Sequence, residues 1–112
     1  MFNAGEPVEL HLEITNTGDT LWLAGHLPRF GIVMPALKIF DEVGQQISET
    51  HGEPALPRAV VPGEVISMKI APVAPTPPGK YILKVDLVAE HVAWFEQQGS
   101  TPLLFHFNVA EA

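Results

Sequence analysis

Two Pro-Gly pairs constrain this chain more than any other feature. Pro62-Gly63-Glu64 precedes the run Val65 to Ile70, and Pro78-Gly79-Lys80-Tyr81 follows it. Proline presets φ at about −65° and glycine supplies positive φ, so each pair favours a tight turn. A second strand-length run, Tyr81 to Val88, starts directly after the second pair. This is the punctuation of an antiparallel β-sandwich.

The rest of the chain agrees. Val8-Glu9-Leu10-His11-Leu12-Glu13-Ile14-Thr15 alternates apolar and polar residues without a fault, which predicts a half-buried strand. Asn16-Thr17-Gly18-Asp19 is turn chemistry, and Thr20 to Leu23 reads as a short edge strand. The stretch 31–47 fits two templates. Val33, Leu37 and Ile39 read as strand, whereas Leu37, Phe40, Val43 and Ile47 share a helical spacing with Pro35 at its start. Strand is the better fit, because a helix would carry Gly44 inside it at about 1 kcal/mol. Asp41-Glu42-Val43-Gly44 then reads as a hairpin turn.

Pro72 to Pro78 holds four prolines in seven residues and predicts a stiff crossover. Beyond it, Tyr81, Leu83, Val85 and Leu87 are expected to face inward, with Lys84 and Asp86 opposite. Phe105 and Phe107 share one face of a last strand. Six to seven short strands with regular turns predict an all-β, immunoglobulin-like antiparallel sandwich.

Composition narrows the function classes. The chain has 112 residues, enough for one domain spanning 1–112 that buries about 65% of its unfolded surface. Thirteen Asp and Glu against six Lys and Arg give a net charge of −7, which disfavours nucleic acid and anionic membranes as partners. No apolar run approaches ~20 residues, so no membrane insertion is expected. Cysteine is absent, which removes disulfides, thiolate nucleophiles and cysteine-based zinc sites. No signal peptide is visible, so the expected location is cytoplasmic. The strand pattern begins almost at once, as in a domain excised from a longer protein.

Catalytic and metal chemistry find little support. No two of the five histidines (His11, His26, His51, His91, His106) lie within five residues of each other. Ordinary surface histidines are therefore the simpler reading, although His11 and His106 fall on outward faces of strands that could be neighbours. Asp41-Glu42 and the pair Glu49 and Glu53 lie in turn-like segments, where solvated charge is the default. There is no Gly-x-Ser-x-Gly and no phosphate loop. The expectation is no enzyme, no cofactor and no metal.

Four residues stand out as ligand-binding candidates. Arg58 sits between turn prolines and suits a carboxylate; its simpler role is an ion pair with Asp86 or Glu90. Trp94-Phe95, in a Gly/Ser-bounded connection, offers a sugar-stacking or protein-docking surface. The simpler reading is that these rings cap the sandwich. Adjacent strand residues point oppositely, so one ring goes in and the other out. Trp22 presents the same choice at an edge or loop position.

The ordered set Asn16-Thr17-Gly18, Trp22, Leu37 to Asp41, Leu56-Pro57-Arg58, Pro62-Gly63-Glu64, Pro78-Gly79-Lys80-Tyr81, Asp86-Leu87-Val88, Trp94-Phe95 and Gly99-Ser100 resembles a group of bacterial immunoglobulin-like accessory domains. These are appended to glycosyltransferases and methyltransferases of cell-surface polysaccharide pathways. More distantly, the chain is similar to the carbohydrate-binding C-terminal domain of the ATPase subunit of O-antigen exporters. The resemblance implies a non-catalytic module that binds glycan or positions a partner enzyme domain. It supplies no site residues, so Trp22, Arg58, Trp94 and Phe95 rest on their own chemistry. Two other classes stay open: a structural spacer in a multidomain protein, and a small proteinase-inhibitor-like sandwich presenting Pro54 to Pro57 or Pro72 to Pro78.

Overall fold

The faultless alternation after Val8 becomes the first strand, β1 (Leu10–Thr15), in the computed structural model of the chain. The structure describes residues 2–24, 32–51, 55–89, 93–95 and 101–110. These residues are all-β, with β2 (Val33–Asp41), β3 (Gln46–His51), β4 (Val65–Ile70), β5 (Gly79–Ala89), the two-residue β6 (Ala93–Trp94) and β7 (Leu103–Val109). β1 and β4 form a two-stranded antiparallel sheet. The larger sheet runs β3-β2-β5, with β7 and β6 both on the far edge of β5. The two sheets pack as an antiparallel sandwich, consistent with an immunoglobulin-like fold.

The ambiguous stretch 31–47 resolves as strand where it is described. Leu37 is buried, but Val43 is exposed at a turn and Ile47 is exposed on β3, so the helical spacing never makes one face. β3 ends opposite Ala36, so among the described residues Pro35 has a strand partner on β5 alone, the setting that suits proline in a sheet. Gly44 adopts φ +86° in the predicted hairpin turn. Asp41 Oδ1 accepts from the Val43 and Gln45 amides at 3.1 and 2.8 Å.

The two Pro-Gly pairs turn out unlike each other. The Glu64 amide donates to the Val61 carbonyl at 3.1 Å across Pro62-Gly63, and Gly63 has φ +85°. Positive φ at the third position is the mark of a type II turn, where glycine is required. Pro78-Gly79 closes no hairpin, because the strands it separates, β4 and β5, belong to different sheets. The proline-rich crossover between them is tied down. Ala74 is buried, its amide donates to the Glu6 carbonyl at 2.8 Å, and its carbonyl accepts from the Gly5 amide at 2.9 Å. The Tyr81 hydroxyl donates to the Pro77 carbonyl.

Apolar residues gather in two clusters between the sheets. One surrounds Val8, Ile70, Tyr81, Leu83 and Phe107; the other surrounds Trp22, Val33, Leu56, Val60 and Ile66. Met68 touches both. The expected inward set on β5 holds: Tyr81, Leu83 and Val85 are buried and Leu87 packs on the second cluster. Asp86, on the opposite face, is nevertheless only 7% exposed, and its carboxylate accepts from the Leu87 amide at 2.7 Å.

Asn16, at the end of β1, is fully buried. Its side-chain amide donates to the Thr20 and Val60 carbonyls, both at 2.9 Å, and its side-chain oxygen accepts from the Gly18 amide at 3.0 Å. Its own backbone exchanges bonds with Glu64 and Gly63 at 3.0 and 2.7 Å. One residue thus joins the Asn16-Thr17-Gly18 turn to the Pro62-Gly63 turn and to Val60. Replacing it removes three hydrogen bonds at a buried position, each contributing about 0.5–1.5 kcal/mol, although the Val60 carbonyl keeps the Trp22 amide as a donor. Asn16→Ala should therefore lower stability by about 2–3 kcal/mol in urea unfolding; a loss under about 0.5 kcal/mol would show that the turns do not depend on it.

Candidate functional site

The seam between β1 and β7 opens into a cleft of about 760 Å³. Four consecutive β1 residues, Leu12 to Thr15, line it. Neighbouring strand residues point to opposite faces, so it is the free backbone edge of β1 that borders the cleft. β1 pairs only with β4 among the described strands. The opposite wall, on β5, differs: the Leu87 carbonyl accepts from the Phe95 amide and the Leu87 amide donates to the Asp86 carboxylate. β7 leaves β5 after the pair Val85 and Leu103, and β6 joins it only at Val88. Asp86 and Leu87 fall between the two, and they line the cleft with Thr101, Pro102 and Leu103.

Trp22 and Phe95 form the apolar floor. Trp22 bridges Val60 through a pair of backbone hydrogen bonds at 2.9 and 3.0 Å. The predicted edge position is correct, but the ring is only 8% exposed and belongs to the core. Phe95 meets it edge to face, with centroids 5.4 Å apart and planes at 72°, the geometry that aromatic quadrupoles favour. The Phe95 amide donates to the Leu87 carbonyl at 2.9 Å, which fixes its ring over the seam. Thr15, Thr17, Thr20 and Thr101 add hydroxyl-bearing side chains to the lining, and Glu13 and Asp19 add carboxylates.

The other two candidates lie elsewhere. Trp94 pairs with Val88 on β5 and faces away from Phe95, as alternation requires. Its ring lies on the outer face of the large sheet. There the Lys38 ammonium sits 4.2 Å from its centroid and the His51 ring meets it edge-on at 5.1 Å. His51 and Lys38 both contact Glu49, at 2.7 and 3.9 Å. Trp94 thus covers a stretch of sheet where Ala36, Asp86 and Val88 are buried. Burial opposes ionisation of Glu49, but hydrogen bonds from Gln46 and His51 and the charge of Lys38 outweigh it and hold the carboxyl below its ordinary value.

Arg58 does not reach Asp86, one of the two partners expected for it; the other, Glu90, lies outside the described residues. Its guanidinium instead pairs with Glu64 at 2.6 Å, just past the Pro62-Gly63 turn. The turn itself brings the two together, since the Val61 amide also donates to Glu64 at 3.1 Å. Of the histidines, His11 stands on the small sheet and His106 on the large one, so they are not neighbours; His26 and His91 lie outside the described residues. Among the described residues no group of three or more His, Asp or Glu is placed to hold a metal ion, and no helix is long and apolar enough to cross a membrane.

Two of the four sequence candidates therefore share one cleft. Its remaining lining was not singled out, because the segments around residues 12–22 and 85–103 meet only through the sheet pairing. The turn motif at Asn16 was the nearest local signal. No known family model matches the chain, and no curated protein matches it.

The Arg58–Glu64 pair gives a pH-dependent expectation. The Arg58 hydrogen bond, followed by that of the Val61 amide, holds the Glu64 carboxyl below its ordinary value of 4.5. A depressed carboxyl stabilises the fold above its unfolded-state value, and that stabilisation fades as pH falls through the lowered folded value. Arg58→Ala should move the Glu64 carboxyl titration, followed by carbon NMR, up toward 4.5. An unmoved midpoint would mean that the pair is not formed in solution.

Proposed function

We propose that this domain is a non-catalytic saccharide-binding module, of the accessory kind its sequence resembles, and that the β1–β7 seam is its site. The observation that carries this reading is the make-up of the cleft. An aromatic pair lies at the base, and around it run four threonines and the edge of β1 that is unpaired among the described residues. A sugar presents apolar C–H faces and a ring of hydroxyls that both donate and accept. Aromatic rings match the first, and backbone N–H and C=O groups beside threonine hydroxyls match the second. The cleft has the concave form and the size of a small-ligand site.

On this reading the candidate residues divide their roles. Phe95, half-buried above Trp22, offers the stacking surface, while Trp22 holds it in place. Trp94 is committed to Lys38 and His51 on the other face and takes no part in the cleft. Arg58 is occupied by Glu64. On this reading the domain delivers or holds a glycan for a catalytic domain elsewhere.

The test is a glycan array followed by titration of the best binder. Phe95→Ala should weaken binding roughly tenfold or more, whereas Trp94→Ala should leave it within about twofold. Amide spectra of both variants check that the sandwich is intact. Absence of binding to any glycan, or loss with Trp94→Ala but not with Phe95→Ala, would overturn the assignment.

A further inference from the structure

The distribution of charge along the chain is lopsided in a way that the fold turns into a local field. Residues 1–28 contain four carboxylates and no Lys or Arg, and residues 85–112 contain the same. Residues 29–84 carry all six cations against five carboxylates, and so are positive by one. The two end segments therefore carry −8, and the middle segment offsets it by one to give the net −7.

Those are the segments that build the cleft. Every lining residue comes from 12–22 or from 85–103. Glu13 stands beside the free edge of β1 and Asp19 on the turn that Asn16 organises. Both are exposed, and neither forms an ion pair among the described residues. No Lys or Arg among the described residues lines the cleft: Lys38 lies under Trp94, Arg58 on Glu64, and Lys69 pairs with Glu9 on the outer face of the small sheet that also carries Glu13. A concave site lined by charge of one sign concentrates that field and selects ligands by charge.

We propose that the cleft selects sugars bearing a protonated amine over their neutral counterparts, and rejects uronates. The proposal rests on the saccharide reading above and names the class of sugar. The aromatic pair and threonines supply the fit common to all sugars, and Glu13 and Asp19 supply the discrimination. Because both carboxylates are solvated, the effect is a modest, salt-dependent preference. One added charge contact in water changes affinity by about fivefold at low ionic strength.

Three trisaccharides of matched length separate the possibilities: the glucosamine trimer, its N-acetylated form and a galacturonate trimer. Each is titrated into the whole domain at about pH 6, where the amine is protonated and the uronate ionised. The amine trimer should bind about fivefold tighter than the acetylated one, and the uronate weakest. The preference should shrink toward unity in about 0.5 M salt and in the Glu13→Gln/Asp19→Asn variant. Equal affinities, a uronate preference, or a preference that survives the double substitution would overturn the inference while leaving the saccharide reading in place. Failure of all three to bind also overturns it, and the array decides separately whether the broader reading falls too. A lysine tripeptide that perturbs the same amides at lower concentration than the amine trimer would replace the sugar with a basic peptide.

Discussion

Everything at the cleft end of this sandwich depends on the side chain of Asn16. β1 ends there, and the chain must cross from the small sheet toward Trp22 without leaving buried polar groups unpaired. One amide meets that need by donating to Thr20 and Val60 and accepting from Gly18. The Val60 carbonyl sits beside the bridge to Trp22, so the same contact positions the ring. A polar group with no water nearby is worth little when paired and is expensive when left alone. That asymmetry makes the arrangement close to all-or-none.

The second constraint is the mismatch between the sheets. A two-stranded sheet covers a larger one, so β1 keeps a free edge among the described residues. Free edges invite unwanted pairing, and proteins commonly guard them with charge. His11 and Glu13 stand on the exposed face of β1, and Glu9 just before it pairs with Lys69 of β4. The same open edge gives the cleft its polar wall. A feature that is a liability in an isolated strand thus leaves hydrogen-bonding groups facing the cleft.

The fold was largely legible in the sequence, because it is written in local chemistry. Period-two alternation after Val8, the Asp41 to Gly44 turn and the Pro62-Gly63 turn each act within a few residues, and each appears where expected. Pro78-Gly79 was legible only as punctuation; that it precedes a change of sheet depends on which strands pair. The site was half legible. Trp22 and Phe95 stand out as aromatics, and alternation separates Phe95 from Trp94. Their meeting across the seam has no local signature, since it needs β1, β5 and β7 together. Arg58 shows the same limit: its partner lies only six residues away, but a tight turn is needed to bring Glu64 round to it.

The outer face of the large sheet, where Trp94 covers Lys38 and His51, is the natural rival to the seam as a place for a ligand. Mapping amide chemical-shift changes with the best-binding glycan decides between them directly. Binding in the seam predicts that the changes concentrate on Leu12 to Thr20, Asp86 to Leu87 and Thr101 to Leu103. Changes that instead cluster on Lys38, Glu49, His51 and Trp94 would contradict the account.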